Sequence, residues 1–168
     1  LEFRRVLFRS PVDHWSDWAD RLPFSPSRHH RMITPRIERL LTAIQAWAGV
    51  TSDIRAVALV GSYARGTATP ESDLDLVILS TNPTPYIDHP TWIEQLGAFG
   101  AVQYEDYGRL ISLRAREGSC EVEFGISDPS WAALPLDPGT AKVIGDGMRI
   151  LYDPDGLLAA AIQACRFP

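Results

Sequence analysis

The chain has 168 residues, 45% of them apolar, with 16 basic against 21 acidic side chains and a net charge of −5. That length suits one globular domain with a real core and leaves little room for a second, and no apolar run approaches the roughly 20 residues a membrane span needs. The acidic balance, with arginines scattered rather than striped, argues against a protein that grips nucleic acid by neutralising phosphates, but not against one whose nucleotide arrives with metal counter-ions.

The first ten residues, LEFRRVLFRS, read differently from the rest. They resemble one reading frame of a common sequencing adapter and are taken as a scar, their apolar run being too short for a signal-peptide core. The domain is then 11–168, with 13 basic and 20 acidic residues and a net charge of −7. On that reading the native start is missing, and completeness at Arg166-Phe167-Pro168 stays open. Cys120 and Cys165 are too few for a disulfide framework or a zinc site and are read as reduced packing residues of a cytoplasmic chain.

His14 to Phe24 has the spacing of a short amphipathic helix with Trp15 and Trp18 on one face. A polar connection carrying the adjacent His29 and His30 leads to Thr34-Pro35, which caps a helix running to about Gly49, with Ile37, Leu40, Leu41, Ile44 and Trp47 on one face. Arg55 to Gly61 is a buried strand stopped by glycine, and Asp73 to Leu79 a second. The segment between them holds a loop with room for one helical turn. A proline-punctuated loop, Asn82 to His89, precedes a short helix near Thr91 to Leu96. Three strands follow, Ala101 to Tyr107, Arg109 to Arg116 and Cys120 to Ile126, the last two joined by a Glu117-Gly118-Ser119 hairpin turn. Asp137-Pro138-Gly139 opens a helix, Met148 to Tyr152 is a last strand and Asp155 to Cys165 a last helix. This order predicts a mixed α/β domain of the α+β type, a central sheet of about five strands with flanking helices, without the regular alternation of a doubly wound fold.

The chemistry concentrates in Leu59 to Leu79, LVGSYARGTATPESDLDLVIL. Gly61 lets the backbone approach a ligand, and Ser62 can offer hydroxyl and amide to a phosphate. Asp73 and Asp75 are two apart at the start of a strand, so both carboxylates share a face while Leu74 and Leu76 turn into the core. Two converging carboxylates repel unless a cation lies between them, and magnesium, which takes hard oxygen ligands plus substrate phosphates, fits. A P-loop is rejected because Thr67 stands where its lysine belongs. The Asp-x-Asp of glycosyltransferases, which needs no preceding Gly-Ser, is a minor alternative.

Gly61-Ser62, a ten-residue spacer and Asp73-Leu74-Asp75 on the next strand resemble the signature of the nucleotidyltransferase superfamily with the polymerase-beta-like fold, and GSYARGTATPESDLDL is similar to its small bacterial members. The resemblance implies a third carboxylate on a later strand, for which Glu123 in VEFGI fits best and Glu121, on the same face, is the fallback; most members have Asp there. It further implies phosphoryl transfer with two Mg2+ ions: Asp73, Asp75 and Glu123 hold metal, while Gly61, Ser62, Arg65 and Ser72 bind the nucleotide. A nucleoside triphosphate, with ATP expected, would give its monophosphate to a hydroxyl of a small antibiotic-like molecule or of a protein. The resemblance allows a homodimer or a helical partner protein, and RNA is the least favoured acceptor. The alternative is a non-catalytic nucleotide-binding or antitoxin-like partner protein with a degenerate site.

Overall fold

The computed structural model describes residues 33–166. The suspected scar, the tryptophan helix near 14–24 and the pair His29 and His30 lie outside them. Within the described residues, helix α1 (Pro35–Val50) starts where its capping chemistry predicts: Thr34 Oγ1 accepts from the Ile37 amide at 3.3 Å, and Pro35 occupies the first turn. Its apolar face, Ile37, Leu40, Leu41, Ile44 and Trp47, is buried. Strand β1 (Ile54–Val60) ends one residue earlier than expected, because Gly61 turns to φ +67° and begins the single helical turn α2 (Gly61–Arg65). Strand β2 (Leu74–Ser80) follows.

The expected proline loop is partly helical. Helix α3 (Thr84–Asp88) and a 3-10 helix, Pro90–Gln95, fold back on α1, where Trp92 stacks on Trp47 at 4.9 Å between ring centroids and Tyr86 donates to Asp53 Oδ1 at 2.7 Å. Tertiary aromatic packing supplies the order there, which local propensity does not reveal. The three strands expected here are β3 (Gln103–Asp106), β4 (Ile111–Glu117) and β5 (Cys120–Ser127), which pair in sequence order, with β3 shorter than expected and exposed throughout. A second 3-10 helix, Pro129–Ala132, was not anticipated. Helix α4 (Pro138–Asp146), strand β6 (Arg149–Tyr152) and helix α5 (Leu157–Arg166) complete the described chain.

All six strands join one sheet, one more than the expected five, in the order β3-β4-β5-β2-β1-β6. Every neighbouring pair is antiparallel except β2 and β5, which run parallel at the centre. Alternation along the strands gives the sheet two faces. Leu74, Leu76, Ile78, Val122, Phe124 and Ile126 turn to the core under α1, whereas Ala56, Ala58, Val77 and Leu79 turn to a second core with Trp131, Ile144 and Leu158. Among the described residues no helix is long and apolar enough to cross a membrane.

Candidate active site

Asp75 follows Leu74 on β2 and therefore points to the opposite face, toward α4. In the parallel ladder its Cα partner is Glu123 of β5, so two carboxylates anchored 48 positions apart in sequence stand side by side on adjacent strands. Asp73 immediately precedes β2 and is half-buried. Its approach is shaped by a turn in which Ser72 Oγ accepts from the Thr69 amide at 2.8 Å, so the Ser72 hydroxyl serves the loop that delivers Asp73.

Gly61 closes on the same point from β1. A Cβ built at Gly61 would lie 2.0 Å from Asp75 Oδ2, and the backbone there has φ +67°, so both space and conformation require glycine. Ser62 sits half-buried in the turn of α2, its carbonyl accepting from the Thr67 amide at 3.0 Å. Arg65, at the exposed end of α2, packs against Gly147 just after α4.

Gly61, Arg65, Asp75 and Glu123 line one cavity of about 430 Å3, a volume suited to a small-molecule ligand. Its far wall is made by residues that sequence reasoning did not single out, notably Tyr107, Arg109, Leu110, Trp131 and Thr140. Arg109 ties that wall together: its guanidinium donates to Asp137 Oδ2 at 2.9 Å and to the Ser130 carbonyl at 2.6 Å. Asp137 is also the N-cap of α4, accepting from the amides of Gly139 and Thr140. Its carboxyl is held below the usual range by hydrogen bonds from Thr140, with smaller help from Gly139 and Arg109.

The electrostatics mark Asp75. Its carboxyl is pushed up from 3.8 to about 6, first by burial, then by the Glu123 and Asp73 carboxylates, with Arg114 and Arg65 opposing. A carboxylate raised by like charges is one whose ionised form gains from an added cation. The donor chemistry fits a hard divalent ion: carboxylate oxygens only, converging at strand ends where Gly61 leaves room. Among the described residues, however, no three His, Cys, Asp or Glu side chains are already gathered closely enough to enclose an ion. Glu123 is engaged across the sheet, its Oε2 accepting from the Arg114 guanidinium at 3.0 Å. The fallback Glu121 lies 2.7 Å from Arg116, its register partner on β4, and 3.5 Å from Arg114. Arg114 could have been found from sequence, because counting outward from the two-residue turn Gly118-Ser119 sets it opposite Glu123.

Residues 37–129, more than half of the chain, match the model of the nucleotidyltransferase domain family. No curated protein matches the chain. Among solved structures it is similar to a nucleotidyltransferase-like protein from Exiguobacterium sibiricum 255-15, at 14% identity over 78% of this chain and 39% of that one, with a TM-score of 0.43. It is also similar to a CCA-adding enzyme in complex with ATP, at 16% identity over 80% and 33% of the two chains and a TM-score of 0.43. A cytoplasmic RNA terminal U-transferase matches at 16% identity over 61% and 31%, with a TM-score of 0.42. The chain thus spans between 31% and 39% of the length of these structures, and at such identities the assignment rests on the family match. Because that match runs from α1 through β5, carrying Gly61-Ser62 and Asp73-Leu74-Asp75 with it, the chain belongs to the nucleotidyltransferase family with the polymerase-beta-like fold.

Proposed function

We propose that this domain transfers a nucleoside monophosphate from a nucleoside triphosphate, with ATP the expected donor, to a hydroxyl of a small antibiotic-like molecule or a protein, in a reaction that requires Mg2+. The observation that carries the reading is the direct pairing of Asp75 with Glu123 across the parallel β2–β5 ladder, beside a glycine whose missing Cβ makes room for the Asp75 carboxylate.

Asp73, Asp75 and Glu123 would hold two Mg2+ ions, which when bound neutralise the triphosphate and lower the pKa of the acceptor hydroxyl. Ser62 and the neighbouring amides would receive the β- and γ-phosphates, and Arg65, on the cavity rim, the charge that builds on them. The acceptor oxygen attacks the α-phosphorus in line, forming the new P–O bond as the bond to the β-phosphate oxygen breaks and pyrophosphate leaves. Glu123 would also accept the acceptor's proton. The cavity would orient the reactants, so that the protein contributes position and charge rather than covalent chemistry.

The test is incubation with α-labelled ATP, Mg2+ and a panel of aminoglycosides, lincosamides and cell lysate. Label should pass to one fraction and fail to do so with Asp73→Ala or Asp75→Ala protein that remains folded. Glu123→Gln should abolish transfer while sparing triphosphate binding. Calorimetry showing equal triphosphate binding with and without Mg2+ would remove the metal assignment. A second reading, nucleotide binding without turnover, is favoured by the engagement of Glu123 with Arg114. It predicts triphosphate binding with no labelled product from any acceptor.

A further inference from the structure

Arg114 is the charged neighbour that the chemistry above does not use. It stands on β4 opposite Glu123, which in turn stands opposite Asp75, so one cross-strand row runs from guanidinium to carboxylate to carboxylate. The Arg114 side chain also lies 3.5 Å from Glu121 and 3.5 Å from Glu105, which draws carboxylates from β3 and β5 onto one cation. Arg116, two positions along β4, pairs instead with Glu121.

The Arg114–Glu123 contact differs from an ordinary surface pair in burial and placement. The two side chains are 33% and 20% exposed, so water screens them incompletely. A carboxylate oxygen engaged by a guanidinium must give up or share that bond to ligate a metal ion, because both partners seek the same lone pairs. Arg114 also offsets, by its charge, the repulsion that Glu123 exerts on Asp75.

We propose that Arg114 is an internal counter-ion for the third carboxylate: it holds Glu123 until a divalent cation displaces it, and so sets how much cation the site requires. Arg114 is thus a positioning residue acting through Glu123. The inference rests on the metal-dependent reading of the site, and it names a device that the reaction itself does not need.

The experiment is a titration of the full chain with Mn2+ in the absence of nucleotide, with free ion followed by electron paramagnetic resonance. Arg114→Met, which keeps length but removes the charge, should bind Mn2+ about three- to tenfold more tightly, the range available to a partly buried ion pair. Arg116→Met should bind like the wild type. The gain should vanish when Arg114→Met is combined with Glu123→Gln. Unchanged or weaker binding by Arg114→Met overturns the proposal, and so does an equal gain in the Glu123→Gln background, which would make Arg114 a distant charge and no latch. If Arg114→Met does not fold, Arg114→Gln carries the same expectation. The metal-dependent reading fails separately: if neither the wild type nor any variant binds Mn2+ even with a non-hydrolysable triphosphate, both ideas fall. If the wild type binds it, Asp75→Asn loses it and Arg114→Met changes nothing, only the counter-ion role falls.

Discussion

Strands β2 and β5 present two faces that are ordered in opposite ways. On one, Leu74, Leu76 and Ile78 mesh with Val122, Phe124 and Ile126 beneath α1, all of them buried. On the other, one residue along, Asp75 stands beside Glu123 and Val77 beside Gly125 at the edge of an open cavity. Since neighbouring side chains share one backbone, the closed face fixes where the carboxylates stand, while the open face tolerates their mutual repulsion. The site's geometry is inherited from the packed core on the other side of the sheet.

That contrast breaks most visibly at Phe124. Its ring is fully buried, edge-on to Trp92 at 5.4 Å and to Phe99 at 5.6 Å. Phe124→Ala should cost about 3–5 kcal/mol of stability in urea unfolding. A loss below about 1 kcal/mol would mean that the closed face does not hold the strands. Gly61→Ala probes the open face and should cost about 2 kcal/mol, since it combines a left-handed backbone with a Cβ 2.0 Å from Asp75 Oδ2. Metal-dependent triphosphate binding should disappear with it, and retention of that binding would show that Asp75 can move without consequence.

The open face carries a stability cost that a substitution can relieve. Between 3.8 and about 6 the folded state holds a proton on Asp75 that the unfolded chain has released, so raising the pH through that window weakens the fold. The full shift corresponds to about 3 kcal/mol, and discounting for partial exposure leaves about 1 kcal/mol. Asp75→Asn should therefore stabilise the cation-free protein by about 1 kcal/mol at pH 7.5 and by almost nothing at pH 3.5, as read by thermal unfolding at the two pH values. A variant less stable than the wild type at pH 7.5 would show that the carboxylate contributes to the fold.

Much of this contrast is legible in the sequence. The alternation in Leu74-Asp75-Leu76 puts Asp75 on one face and the leucines in the core, and Thr34-Pro35 and Asp137-Pro138 mark their helix starts through side-chain and proline chemistry local to the cap. What local pattern cannot carry is pairing over long separations. The parallel β2–β5 ladder, which chooses Glu123 as the partner of Asp75, depends on a crossover, and the order of α3 depends on Trp92 reaching Trp47 and Tyr86 reaching Asp53. The cavity's far wall is likewise assembled by Arg109 bridging to Asp137 and Ser130, residues with no shared motif.

The smallest expected effect decides the finest point of the contrast, which of two carboxylates on the open face belongs to the site. Glu121 and Glu123 point the same way and differ by one turn of the pleat, so composition cannot separate them. Register does: Glu123 faces Asp75, whereas Glu121 pairs with Arg116 at 2.7 Å. Glu121→Gln should change stability by less than about 0.5 kcal/mol, as expected for one arm of a partly exposed ion pair, and leave nucleotidyl transfer within about threefold of the wild type. Glu123→Gln, one pleat away, should abolish it. If both variants lost transfer equally, the third carboxylate would be shared, and the register of β5 against β2 would no longer explain why one glutamate serves the site and its neighbour pairs with β4.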